Sequence, residues 1–270
     1  VALTGTAAPG MPSSVLAGLD SPAVNARGDI VFLATLRRGR ESVDAILLST
    51  GGALRKVVAQ GDPAPAGGTF AAFGPPVINA RGAVAFAAVV DGKAVPGGLF
   101  IARGEQVEMV AGAGEETPLG GIFAKFSERI GFNDAGVIAF HGMLKFAPVA
   151  AAIFAIEDGR ARAVARLGDA APGGGTIEHF GLWPAVSPRS AIAFAASIEG
   201  GPSPMAILIA DRAGLAQVVA IGDALPGGER ITTLTLYPVV SVSAPGHVTF
   251  AVAPSATGEG PEGLFIAAPR

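Results

Sequence analysis

Asn79-Ala80-Arg81-Gly82-Ala83-Val84-Ala85-Phe86 reads as a tight turn running straight into a strand. Asparagine suits the first position of a type I turn, and glycine suits the last, where the backbone turns left-handed. The same words recur. Asn25-Ala-Arg-Gly28 precedes Ile30-Val31-Phe32, and Asn133-Asp-Ala-Gly136 precedes Ile138-Ala139-Phe140. Ser187-Pro-Arg-Ser190 precedes Ile192-Ala193-Phe194, and Ser241 opens a longer turn through Gly246 before Val248-Thr249-Phe250. The openings at 25, 79, 133, 187 and 241 stand 54 residues apart, and five such periods fill the 270-residue chain.

A second landmark keeps the period. Gly61-Asp62-Pro-Ala-Pro65, Gly114-Glu115-Glu-Thr-Pro118, Gly168-Asp169-Ala-Ala-Pro172 and Gly222-Asp223-Ala-Leu-Pro226 share one spacing, and Gly5-Thr6-Ala-Ala-Pro9 is a fifth copy without the acid. A valine stands four residues before each motif glycine: Val1, Val57, Val110, Val164 and Val218. Each period holds four short apolar segments bounded by turn residues, too short for helices. In the second period they lie near 73–78, 83–89, 98–102 and 107–111, joined within the second pair by Gly-Glu-Gln or Asp-Gly-Arg turns.

The second segment carries apolar residues on both faces. Val84, Phe86 and Ala88 form a bulky side, and Ala85 and Ala87 a small one. A sheet built this way must be covered twice, so neighbouring sheets pack bulky side on small side. Five four-stranded antiparallel sheets repeated at this period predict an all-β, five-bladed β-propeller over residues 1–270 as one domain. The last period lacks a fourth strand of its own. Val1–Thr4 is expected to supply it and close the ring beside Leu264–Ala267.

Half of the residues are hydrophobic, enough for a large core, and the 39 glycines and 21 prolines fall at fixed places between apolar runs. The net charge of −3 gives no basic footprint for nucleic acid. With no cysteine there is no disulfide, thiol catalysis or Cys-ligated zinc. No segment reaches the roughly 18 apolar residues of a membrane span. The chain opens on Val1 with no leader-like stretch, so a processed chain is expected.

The Asn-x-x-Gly-x-x-Ala-Phe pattern resembles the bacterial tandem-repeat family named for it (NxxGxxAF, a choice-of-anchor family). Its members are typically exported, surface-anchored proteins of unknown activity. The match is close at 79–86 and 133–140, looser at 25–32 and degenerate in the last two periods. The resemblance implies a repeat scaffold and an extracellular or cell-surface location. It carries over no catalytic residue, because the motif is a turn plus a core strand.

Two sets of residues are candidate sites. Asp62, Glu115, Asp169 and Asp223 take equivalent places in the loops between periods, where a carboxylate ring would suit Ca²⁺ or a cationic ligand. The competing reading is that each acid hydrogen-bonds the backbone of its own turn. Four residues before each turn opening, on the innermost strand, stand Ser21, Pro75, Arg129, Trp183 and Tyr237, the last two being the only Trp and Tyr. With Asp20, Lys125, Glu128, Glu178 and His179 nearby, this set suits a small polar ligand such as a sugar or peptide. Equally, the two aromatics would fill gaps between inner strands. Asp20 and Glu128 also keep open a pair of channel carboxylates for glycoside hydrolysis.

The loops after the second strand diverge most (37–41, 91–93, 146–148, 199–202 and 255–262) and are where specificity would lie, with Phe146 a candidate contact for a partner subunit. Arg27, Arg81 and Arg189 read as solvated charges. The leading expectation is a non-enzymatic extracellular propeller that binds or displays a glycan, peptide or protein. The alternatives are a structural subunit of a surface assembly, in which self-association would matter, and a hydrolase with channel carboxylates.

Overall fold

The computed structural model of the chain describes residues 2–92, 95–234, 241–252 and 263–268. It has the predicted fold: an all-β five-bladed propeller, with no helix among the described residues and so none able to cross a membrane. The chain divides into two compact units, residues 1–115 with 128–134, and residues 116–127 with 135–270.

The first unit holds two sheets. One is β1 (Val15–Val24), β2 (Ile30–Arg38), β3 (Glu41–Thr50) and β4 (Ala53–Ala59), in that order. The other is β5 (Thr69–Phe73), β7 (Val84–Asp91), β8 (Gly97–Arg103) and β9 (Gln106–Gly112), with the short β6 (Val77–Ile78) also on β7. The chain continues into β10 (Ile122–Phe126) and β11 (Gly131–Phe132). The second unit orders β10, β12 (Ile138–Lys145), β13 (Ala151–Glu157) and β14 (Arg160–Arg166). Next come β15 (Thr176–Phe180), β17 (Ile192–Glu199), β18 (Met205–Asp211) and β19 (Gly214–Ala220), with β16 (Ala185–Val186) on β17. The last sheet is β20 (Ser241–Val242), β21 (Val248–Val252) and β22 (Gly263–Ala267). Of the closing strand expected from Val1–Thr4, Val1 lies outside the described residues and Ala2–Thr4 belong to no strand, so the last sheet has three strands among the described residues.

Packing follows the two-faced pattern of the sequence. In the first unit, Phe70, Phe86 and Phe100 of the second sheet bury against Val31, Ile46, Leu48 and Val58 of the first. In the second unit, Ile192, Phe194 and Leu208 meet Ala139, Ile153 and Ala155 of the preceding sheet. Phe250 and Val248 likewise meet Ala193, Ile207 and Ile209. The phenylalanine-bearing side of a sheet thus covers the aliphatic side of the one before it. Phe86 lies directly opposite Phe100 and stacks on it at 5.6 Å, and Phe140 repeats this on Phe154 at 5.5 Å.

The motif turns do more than reverse the chain. Asn79 Oδ1 accepts from the N–H groups of Arg81 and Ala83, at 3.1 and 3.0 Å. Its Nδ2 donates to the Asn133 carbonyl, one period on, at 3.4 Å, just as Asn25 Nδ2 donates to Asn79 O at 2.9 Å. The Ala80 N–H adds a bond to Asp134 Oδ1 at 2.6 Å. Asn25 and Asn79 therefore fold their own turns and tie them to the next. Ser187 Oγ reproduces the two bonds within the turn, from Arg189 and Ala191.

Two expectations need correction or extension. The fifth turn opens at Ser243, not Ser241: Gly246 N–H donates to Ser243 O, and Ser243 Oγ accepts from His247 N–H. It is the same four-residue turn, moved by two residues. The reason is its last position, left-handed at Gly28, Gly82, Gly136, Ser190 and Gly246 alike (φ 66 to 92°), which Gly246 suits best. Arg27 is exposed, as read, but its charge also pairs with the buried Asp29, with Nη2 2.6 Å from Oδ2.

We expect Asn79→Ala to lower the unfolding free energy by about 1–3 kcal/mol, since it leaves buried backbone donors and a carbonyl unmet. Asn79→Ser, which keeps an acceptor for the turn, should lose less. Urea denaturation of the two variants beside the wild type measures both, and equal losses would refute the division of labour between Oδ1 and Nδ2.

Candidate functional site

The inner strand, read as continuous over 73–78, starts at Thr69 and is interrupted. In the first sheet, Asp20 pairs with Leu33 and Ala23 with Val31, so Ser21 and Pro22 both stand opposite Phe32. In the second, the ladder leaves at Phe73↔Ala88 and resumes at Val77↔Ala85, with Gly74 N–H still bonded to Ala87 O. In the fourth it leaves at Phe180↔Ala196 and resumes at Ala185↔Ala193. In the third, β10 ends at Phe126 and Ser127 N–H bonds to His141 O before the chain steps through Glu128, Arg129 and Ile130. The cause is partly covalent. Pro22, Pro75, Pro76 and Pro184 have no N–H to give a ladder, and proline within sheets gathers at bulges. Those prolines were the signal that the inner strand is broken.

The expected ligand residues Ser21, Arg129 and Trp183 thus belong to a recurrent bulge rather than to a strand. In the first unit, Asp20 Oδ1 accepts from the backbone N–H of Ser21 at 2.5 Å and from its hydroxyl at 3.1 Å, and Ser21 adopts φ 49°. Glu128 and Arg129 are exposed, and the Glu128 backbone lies so close over Gly74 that a Cβ there would overlap its carbonyl. In the second unit, Trp183 is half-buried. His179 is exposed, with Nδ1 3.2 Å from Ser197 Oγ and 3.7 Å from Glu178 Oε2. Tyr237 lies outside the described residues.

The motif acids serve their own turns. Asp62 Oδ2 accepts from Ala59 N–H, Asp169 Oδ2 from Arg166 N–H and Asp223 Oδ2 from Ala220 N–H, each at 2.8 Å. Lys56 Nζ further holds Asp62 at 2.9 Å, and Arg166 holds Asp169 at 2.9 Å. Glu115 is exposed on the equivalent loop. Among the described residues no group of three or more His, Asp or Glu could hold a metal ion. The valines that mark the period also have a structural role. Val57, Val110, Val164 and Val218 are the extra residues of a bulge in the outer strand of four sheets.

Electrostatics single out two groups. Hydrogen bonds from Asn25, then Arg27, hold the Asp29 carboxyl below its ordinary value, so its contribution to stability is present at neutral pH and fades as pH falls through the carboxylate range. His141, beside the third bulge, is buried on β12; its carbonyl accepts from Ser127 N–H, its own N–H donates to Ser127 Oγ at 3.2 Å, and its ring lies 6.1 Å from that of Phe180. Burial pushes its imidazole down from 6.5 to about 4, so it stays neutral in the fold. Ala87 and Ala195 take its place in the second and fourth sheets.

For His141 the unfolded chain binds the proton more readily. The stabilisation is complete above pH 6.5 and falls until about pH 4, a drop of about 3 kcal/mol. We expect His141→Ala to flatten the stability profile over that window. Chemical denaturation from pH 7.5 to 4 checks it, and a variant profile parallel to the wild type would refute the assignment.

Solved structures that resemble the chain are distant. An oligogalacturonate lyase in complex with manganese superposes with a TM-score of 0.57 at 12% identity, over 96% of this chain and 67% of its own. A gluconolactonase from Xanthomonas campestris gives 0.43 at 12% identity, over 93% and 72%. An α-L-arabinofuranosidase from Podospora anserina gives 0.34 at 11%, over 100% and 95%. The first shares the fold, and no chemistry follows from that likeness. No curated protein matches the chain. One family model matches twice in succession, over residues 1–152 and 145–269, as befits a chain built of repeats. The chain therefore belongs to DUF7453, a family of unknown function.

Proposed function

We propose that this propeller is a non-enzymatic binding or display module for a glycan, peptide or protein, and that the inner-strand bulges determine what it binds. The contrast within each sheet carries the reading. Around the bulges the sheets repeat one plan, with a phenylalanine at 32, 86, 140 and 194 facing each interruption. At the bulges they hold Ser21-Pro22, Pro75-Pro76, Glu128-Arg129-Ile130 and Leu182-Trp183-Pro184. Residues released from the ladder vary without cost to the sheet, and variation on a rigid frame is how binding surfaces are made.

In the second unit, Trp183 with Glu178 and His179 on the preceding strand would give a small polar ligand an aromatic body and two polar partners. In the first unit, Asp20, Glu128 and Arg129 would offer charges of both signs. The resemblance of the turn-and-strand motif to exported repeat proteins supports action outside the cytoplasm as part of the same proposal.

Glycan and peptide arrays probed with the wild type and Trp183→Ala test the binding role. The expected result is a ligand class that the wild type retains and the variant binds at least about tenfold more weakly, as for an aromatic anchor. Equal binding by both proteins would remove Trp183 from the site, and empty arrays would overturn the binding role. Fractionation of producing cells should find the protein outside the cytoplasmic fraction; recovery within it would overturn the location.

A further inference from the structure

Phe146 stands at the tip of the loop after β12 with φ 60° and is 89% exposed. The equivalent residues, 54 before and 54 after it, are Gly92 (φ 85°) and Gly200 (φ 68°). The turn thus asks for glycine, and the third sheet alone of these three puts a bulky aromatic there. A left-handed conformation costs such a residue about 1–2 kcal/mol, and an exposed ring recovers none of it by packing.

The tip is firmly held. Leu144 N–H bonds to Ala150 O at 2.8 Å, and the loop backbone lies so tightly against Gly121 that a Cβ there would stand 2.6 Å from Ala147 N. Pro148 Cδ approaches within 4.0 Å of a Cβ built on Gly120, so the loop of 117–121 adjoins it. Met143, Lys145 and Pro148, within three residues of Phe146 in the chain, are exposed, Leu119 is half-buried in the adjoining loop, and Glu116 is exposed on its limb.

We propose that this patch is where a second copy of the same chain docks. An apolar centre flanked by one cation and one anion is complementary to itself across a two-fold axis. Phe146 of one copy meets the apolar residues around Phe146 of the other, while Lys145 faces the other copy's Glu116. Two loops form a small interface, which makes the dimer weak and concentration-dependent. Nothing in this depends on the ligand proposed for the bulges.

Sedimentation equilibrium over about 1 μM to 1 mM, where interfaces of this class associate, tests it. The wild type should move from the monomer mass towards twice that value. Phe146→Gly should remain monomeric while melting no lower than the wild type, since glycine suits the turn; that melt shows the variant is folded. Lys145→Glu and Glu116→Lys should each weaken association at least tenfold, and the double exchange should restore it. A wild type that stays monomeric throughout, a Phe146→Gly protein that associates like the wild type, or charge variants that are not rescued would each overturn the proposal.

Discussion

A sheet that carries Val84, Phe86 and Ala88 on one side and Ala85 and Ala87 on the other has no side to give to water. Each buried phenylalanine is worth about 2–3 kcal/mol, and that gain is collected only when a second sheet lies against it. The neighbour must offer apolar side chains without rings where the first carries phenylalanine. Val31, Ile46 and Leu48 beneath Phe86 and Phe100, and Ala139, Ile153 and Ala155 beneath Phe194, meet that need within the two units. Repetition follows from it: a sheet that covers its predecessor offers the same aliphatic side to its successor.

The polar parts of the repeat answer the problem that this packing creates. Turns pressed together between apolar sheets hold backbone groups that water reaches poorly, and each needs a partner. One carboxamide meets several needs at once at Asn79, with Oδ1 inside its own turn and Nδ2 on the next turn's carbonyl. Asp62, Asp169 and Asp223 do similar work on the other connection, each accepting from an N–H three residues back. The residues that recur most faithfully therefore serve the scaffold.

Freedom of sequence lies where the ladder is broken or the chain leaves it. The inner-strand bulges and the loop at Phe146 are anchored on both sides by residues that repeat, yet their own residues differ from sheet to sheet. Trp183 and Arg129 occupy the first kind of place and Phe146 the second. His141 shows that the freedom reaches the strand facing a bulge, where a neutral imidazole replaces the alanine of the second and fourth sheets.

The amino-acid sequence alone determined the number of sheets, the strand order of the first four and which sides meet, because these depend on period and on side-chain size, and both are written locally. It also marked Val57, Val110, Val164 and Val218, although only the pairing register revealed them as bulge residues. Tertiary structure decided the rest. Spacing placed the fifth turn at Ser241, but the left-handed corner at Gly246 sets it at Ser243. Asp62 and Asp169 looked available until Ala59, Lys56 and Arg166 were seen to hold them. Arg27 is exposed as read, but spacing gave no sign of its partner, the buried Asp29. In each case the deciding partner was a backbone group or a side chain whose direction depends on how the chain folds, and one-dimensional spacing carries no such direction.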